Sequence, residues 1–495
     1  MSSFRRSVLF SAADRYVSQA LFVLTTAIMA RILTPAETGV FIIAQSLVLV
    51  LENLRAFGLG PYIVQSRTLD TLVVRSAFTF TLVFSVGLAA LIYATADPVA
   101  VFYGDPALAD LLRVAAIAFF IAPFSSPIIA LLQREFAFQK LAVINVLAMV
   151  ANAGTTIGLG VAGFGPVSFV WGSVAMTTVT ALLAFATRPE AAIYRPSVAR
   201  LREFASFGSI SSFVVFINFA ADMLPRLVFG KLLGFDAVGL YGRAVTICQL
   251  PDRAVVQALQ PVVLPAMAAH AREGKGLREA WLRGHTLMSA VQWPTLVMIA
   301  LLAEPVVRVL LGAQWIEAAP IVRMIAFATM ALAPAFMTYP VLVSAGRVRD
   351  TLWSSLVSLP PSVAILILAA DRGLDAVAAA MLIVAPFQMC VCFAYVRRAI
   401  GVTWKDLLKA SRGSAALALG TALVPTLVLL VASPDGFSLG IAPTLIAIAG
   451  GALGWIATLI LARHPIGEEI AIVWRHLESR LPLGLRRSGR QLWSR

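Results

Sequence analysis

The sequence predicts an all-α polytopic membrane protein of about fourteen transmembrane helices, arranged as two parallel six-helix lobes around a central cavity plus two C-terminal helices. Three observations carry that expectation. The 495 residues are 60% hydrophobic and 13% charged, with a mean hydropathy of +0.88, whereas a soluble chain carries about a quarter charged residues. Apolar runs of about 20 residues, the length that crosses a bilayer, recur along the whole chain. A short loop motif also returns at an offset of 200 residues.

The runs centre near residues 20, 50, 85, 121, 152, 176, 219, 252, 292, 332, 360, 386, 422 and 450, and those near 50 and 252 are interrupted by charge. An even count puts both termini on one side, and the side richer in Lys and Arg is cytoplasmic. Of the 39 bases, 28 fall on the side of the termini, 6 on the opposite side and 5 inside spans: Arg15, Arg55, Arg226, Arg243 and Arg253. The formal charge of +14 is therefore a topology signal, and no nucleic-acid partner is needed to explain it. Both termini are therefore expected on the cytoplasmic side of the membrane. No cleavable signal peptide is expected, because the apolar run after Arg5 and Arg6 is long and lacks a small-residue cleavage site.

These spans divide the chain into an N-lobe at 1–187, a basic cytoplasmic linker at 188–206, a C-lobe at 207–398, two further spans at 399–462 and a basic tail at 463–495. The tail alternates apolar and basic residues around Trp474 and Trp493, which suits an interfacial amphipathic helix against membrane lipid. Cys248, Cys390 and Cys392 lie in apolar runs and form no disulfide framework. Cys390 and Cys392 have no nearby His or carboxylate to complete a metal site.

Arg31 to Phe41 reads RILTPAETGVF, and Lys231 to Tyr241 reads KLLGFDAVGLY. A base leads each copy, Leu33 matches Leu233, Gly39 matches Gly239 and an aromatic closes each. A second echo links Arg113 to Phe119, followed by Pro123, with Arg323 to Phe327, followed by Pro334, at an offset of 210. Each echo falls on corresponding spans six apart. Six is even, so the two units are parallel repeats about an axis along the membrane normal, the plan of many transporters. Pro123, Pro225, Pro251, Pro261, Pro294, Pro334 and Pro386 lie in or beside spans, where helix breaks serve as hinges.

With these features the chain resembles the oligosaccharide flippase group, Wzx-like, of the multidrug/oligosaccharidyl-lipid/polysaccharide exporter superfamily. The matching pieces are Arg31 to Gly39, Leu132 to Lys140 (LQREFAFQK), Gly239 to Ala244 with Leu250-Pro251, and Leu311 to Trp315 (LGAQW). The resemblance implies a flippase that moves a polyprenyl-diphosphate-linked oligosaccharide repeat unit from the cytoplasmic to the periplasmic leaflet by alternating access. It would serve exopolysaccharide, capsule or lipopolysaccharide synthesis beside a polymerase and chain-length proteins. A lipid II flippase and a drug/cation antiporter of the same superfamily are the transport alternatives.

A charge inside a span costs roughly 2.5–3.5 kcal/mol to insert and usually faces a bundle interior or wet cavity. At 1.5 Å per residue, Arg15, Arg55 and Arg253 sit about 10, 24 and 21 Å along their spans, at one level in the cytoplasmic half. The resemblance makes that level a diphosphate site, and arginine suits it through its bidentate, permanently charged fork. Gln19 and Asn53 accompany it. The competing arrangement is neutralisation along one helix, Glu52 with Arg55 and Asp222 with Arg226. Arg226 falls nearer the periplasmic face. For coupling to a proton or sodium gradient the candidate carboxylates are Asp14, Glu52 and Asp222.

Chemistry is otherwise sparse. No phosphate-binding GxxxxGK[ST] loop is present. The four histidines lack metal-ligand spacing. No enzyme and no cofactor are expected, and a scaffold subunit of an assembly complex is the non-transport alternative.

Overall fold

The computed structural model describes residues 2–55, 63, 70–199, 209–253, 267, 276–433, 438–469 and 471, and all regular structure among them is helical. The first lobe is α1 (Ser2–Ile32), α2 (Pro35–Arg55), α3 (Thr71–Tyr103), α4 (Ala107–Arg134), α5 (Phe138–Val161) and α6 (Val167–Thr187). The second begins with α7 (Ser209–Leu232), α8 (Phe235–Cys248), α9 (Leu277–Leu301) and α10 (Ala303–Leu310). It continues through α11 (Ala318–Ala331), α12 (Thr338–Ser344), α13 (Val348–Ala370) and α14 (Leu374–Ile400). Two last helices, α15 (Trp404–Ala432) and α16 (Ile441–Leu461), pack on each other and against α9. Among the described residues nine helices are long and apolar enough to cross a membrane, or eleven if each of two bent pairs is one span. Fourteen spans were expected. As a regular helix α8 has only 14 residues, short of a full crossing. The tail with Trp474 and Trp493, the end of the basic linker and Pro261 lie outside the described residues.

The start of that linker is not a free solvated loop. Arg188, just past α6, bridges Glu135 at 2.5 Å and Glu190 at 2.6 Å. Arg75 on α3 donates to the carbonyl oxygens of Arg195 and Pro196 at 3.0 and 3.2 Å.

The helix breaks differ between lobes. α3 runs 33 residues unbroken through Pro98, and α4 runs through Pro123 and Pro127. Their second-lobe counterparts bend, by 85° between α9 and α10 and by 51° between α11 and α12. The second bend contains Pro334, whereas the first falls at Leu302. Pro225, Pro294 and Pro386 sit inside helices that continue past them.

The repeated loops are where the lobes meet. Thr34-Pro35-Ala36-Glu37 opens α2 with a capping box: Thr34 N donates to Glu37 Oε2 at 2.9 Å, and Glu37 N donates to Thr34 Oγ1 at 3.2 Å. Pro35 takes the first helical position, where its missing N–H costs nothing. From this fixed start α2 crosses onto α7 and α8. A Cβ at Gly39 would strike the Phe235 carbonyl, and a Cβ at Gly239 would strike the Pro35 carbonyl. Residues 35 and 39 of one lobe thus oppose 235 and 239 of the other, so the sequence echo becomes a two-fold seam. The leading bases follow the same symmetry. Arg31 donates across the seam to Val309 O at 2.9 Å, and Lys231 donates back to Phe102 O at 2.6 Å. Trp315 Nε1 and Gln314 Nε2 add bonds to Ala30 O, at 2.6 and 2.5 Å.

Glycine at the two seam positions is therefore demanded by backbone approach. We expect Gly39→Ala or Gly239→Ala to destabilise the closed protein by about 1–3 kcal/mol through overpacking, measured as a lower melting temperature in detergent. Gly87, where an added Cβ meets nothing within 4 Å, is the control. There alanine should be neutral or stabilising, by up to about 1 kcal/mol.

Candidate functional site: an interlobe cavity with one cationic wall

Behind the seam lies a cavity of about 440 Å³ between α1, α2, α5 and α6 of one lobe and α7 and α8 of the other. The first-lobe wall is neutral, with Phe22, Thr25, Thr26, Gln45, Asn152 and Ser173 among its lining residues. The second-lobe wall carries Arg226, Arg243, Arg253 and one carboxylate, Asp222. Several lining hydroxyls are already satisfied by their own helices, since Ser46 donates to Ile42 O at 2.7 Å and Thr246 to Gly242 O at 2.8 Å. Some of the arginine donors are not. Nε of Arg226, and Nε and Nη2 of Arg243, are buried without a hydrogen-bond partner among the described residues.

Each guanidinium is held differently. Arg226 is four residues on from Asp222, and the pair is long, 3.5 Å, with the Asp222 side chain 57% exposed. Such a pair contributes little by itself. Arg253 lies over the Phe22 ring of α1, 4.6 Å from its centroid. Arg243 is buried, between the Phe169 ring at 5.9 Å and the Trp315 ring at 5.7 Å. Three guanidiniums against one lining carboxylate, with Asp252 next in the chain to Arg253, leave this wall net positive. Desolvated donors without partners are costly, so the arrangement is complete only with an anion or water against it.

The residues picked out from sequence divide. Arg253 and Asp222 line the cavity; Arg15, Gln19, Arg55 and Asn53 do not. Asn53 Nδ2 donates to Leu49 O at 2.8 Å, and Arg55 Nη1 donates to Ser126 Oγ at 3.4 Å. Asp14 accepts from Asn145 Nδ2 at 3.0 Å and so ties α1 to α5. Glu52 lines a smaller recess of about 80 Å³ between α2, α4 and α6, which shares Gln45 and Ser173 with the main cavity. Of the three arginines expected at one level, Arg253 is the one that lines this cavity. The cavity sits nearer the loop end of α1 and α2, and there Arg226 and Arg243 join Arg253.

A signal for this was present in the repeat. At the offset of 200, Arg226, Arg243 and Arg253 stand opposite Thr26, Ile43 and Asn53. The same asymmetry holds at Arg15 and Arg55, opposite Val215 and Val255, so it points to the wall only together with the cavity lining.

Residues 28–320, more than half of the chain, match the family model described as Polysaccharide biosynthesis protein. The chain belongs to that family. The match takes in the seam and all three cavity arginines. The succinoglycan biosynthesis transport protein ExoT of Rhizobium meliloti is 27% identical over 365 residues, covering 71% of each chain. The lipopolysaccharide biosynthesis protein WzxC of Escherichia coli K12 is 22% identical over 305 residues, covering 60% of this chain and 61% of its own. Among solved structures, the lipid II flippase MurJ in an inward closed conformation superposes over 93% of this chain and all of its own, with a TM-score of 0.73 at 14% identity. An inward-facing multidrug transporter of the MATE family covers 81% of this chain and 99% of its own, with a TM-score of 0.62 at 18% identity. At these identities the two structures establish a shared fold.

The sign of the cavity can be measured directly. In a background with Cys248, Cys390 and Cys392 replaced by alanine, Gln249→Cys should react with an anionic methanethiosulfonate at least about fivefold faster than with a cationic one, relative to free thiol. Adding Arg253→Gln should shrink that preference.

Proposed function

We propose that this protein is a flippase that carries a polysaccharide repeat unit, linked to a polyprenyl diphosphate, from the cytoplasmic to the periplasmic leaflet by alternating access. The observation that carries the reading is the cationic second-lobe wall with its unpartnered, buried guanidinium donors. A diphosphate offers several anionic oxygens in a geometry that arginine forks match. The neutral first-lobe wall, with Gln45, Asn152, Ser173 and three aromatic rings, suits a saccharide, whose hydroxyls need amide and hydroxyl partners and whose apolar faces stack on rings. Family membership and the names of the relatives support the same class of cargo. A cationic drug would meet three like charges and one carboxylate, which disfavours the antiporter alternative.

Orientation rests on charge. The seam end carries Arg31 and Lys231, from the side with few bases, so it is assigned to the periplasm and the base-rich side to the cytoplasm. The cavity is then closed towards the periplasm, ready to receive cargo from within. Of the carboxylates considered for ion coupling, Asp222 is the one on the cavity wall beside an arginine. A polymerase and chain-length proteins would take over the flipped unit.

A lost charged hydrogen bond of this kind costs about 1.5–3 kcal/mol, roughly ten- to 150-fold in affinity. Arg226→Gln and Arg253→Gln, expressed at parental level, should therefore cut polysaccharide export at least about tenfold. A deletion strain should accumulate complete lipid-linked oligosaccharide. A truncated glycan there, or full export by both variants, would contradict the proposal.

A further inference from the structure

Arg243 is placed unlike the other two cavity arginines. It lines the main cavity and also a small void under the seam, bounded by Phe22, Thr26, Leu310 and Leu311. Its side chain is buried, at 7% exposure, yet two of its donors hold no hydrogen bond among the described residues. What it touches instead belongs to the closure. Phe169, on α6 of the opposite lobe, stacks on Phe41 of α2 at 4.3 Å. Trp315 is fully buried and donates its indole N–H across the seam to Ala30 O. The preceding residue, Gly242, lies where a Cβ would meet the Ile42 side chain of α2. One guanidinium therefore has the cavity on one side and seam residues tied to both lobes on the other.

We propose that Arg243 is the positioning residue through which an anionic cargo loosens the seam. In the empty protein the cation rests against the Phe169 and Trp315 rings, an attraction that strengthens when desolvated but leaves two N–H donors unpaired. A diphosphate in the cavity offers oxygen acceptors to Nε and Nη2, a stronger pairing than a ring face. The guanidinium then turns from the rings to the anion, and its ring-mediated contact with the opposite lobe is lost. Binding energy differs between the closed and loosened states, which is the condition for a ligand to shift a conformational equilibrium. The inference rests on the anionic-cargo reading above and adds the route from cargo to seam. It also gives the position a reason to be arginine when its repeat counterpart is Ile43.

The test uses the full-length protein in lipid nanodiscs, with Cys248, Cys390 and Cys392 replaced by alanine. Spin labels go on Pro106→Cys and Glu317→Cys, exposed residues at matching positions of the two lobes. The probe is geranylgeranyl diphosphate, with geranylgeraniol as the uncharged control. Probe binding is measured separately from the label-to-label distance. In the parent, the diphosphate should bind and broaden or lengthen the distance distribution, and the alcohol should leave it unchanged. Arg243→Met and Arg243→Gln should still bind the diphosphate through Arg226 and Arg253, up to about tenfold more weakly, with one distribution whether or not the probe is present. Either variant suffices if the other does not fold. Arg243→Lys, which keeps the cation, should regain the response. Two results would overturn the role of Arg243 alone: a parental response in a neutral variant that binds the probe, or no response in Arg243→Lys despite binding. Absence of diphosphate binding by the parent would overturn the anionic-cargo reading itself, and this inference with it.

Discussion

Everything in this protein is organised around the backbone approach of two short loops. Gly39 against the Phe235 carbonyl and Gly239 against the Pro35 carbonyl bring α2 onto α8 more closely than any side chain would allow. Once those backbones touch, the rest of the interlobe geometry follows. α2 lies across α7 and α8, the leading bases reach carbonyl oxygens of the opposite lobe, and Trp315 sits under Ala30. The space left behind this contact, bounded by α1 on one side and α8 on the other, is the cavity. Small residues at tight helix crossings are the usual means of association in membranes, where lipid offers no hydrophobic drive between helices. Here the same means also sets which end of the molecule is shut.

The duplication supplies symmetry, and the charges break it. Both copies keep the elements that close the seam: the leading base, the glycine and the hydroxyls of Ser46 and Thr246 that fold back on their own helices. Only the second copy carries arginine at the cavity positions. A symmetric pair of cationic walls would place six guanidiniums in one small space and raise the self-repulsion and desolvation cost together. One cationic and one neutral wall instead offer different chemistry to the two ends of an amphipathic, phosphate-bearing cargo. The second copy is also the one with broken helices, at Leu302 and Pro334. Charge and bending thus lie in the same lobe.

Much of this was legible in the sequence, for reasons that can be named. Span positions follow from apolar run length, and the seam loop announced itself because its leading base, leucine, glycine and closing aromatic recur at a fixed offset. The identity of the cavity arginines was less legible. Helix rotation decides whether a residue faces a cavity, and hydropathy carries little information about rotation. Depth was counted for α2 from Gly39, although the helix begins at Pro35, a difference of about 6 Å. Arg226 looked paired because Asp222 is four residues away, but the structure stretches that contact to 3.5 Å and leaves the acid exposed. Arg243 owes its role to Phe169 and Trp315, each more than seventy residues away in sequence, and no local pattern foretells such contacts.

The place where the anionic part of the cargo rests decides how this protein works. A cryo-electron-microscopy map of the protein in nanodiscs with a polyprenyl-diphosphate-linked saccharide would locate it. Density for the two phosphates should lie between Arg226, Arg243 and Arg253, with the sugar towards Gln45 and Asn152. Phosphate density at Arg15 and Arg55, or cargo bound wholly outside the interlobe cavity, would contradict it.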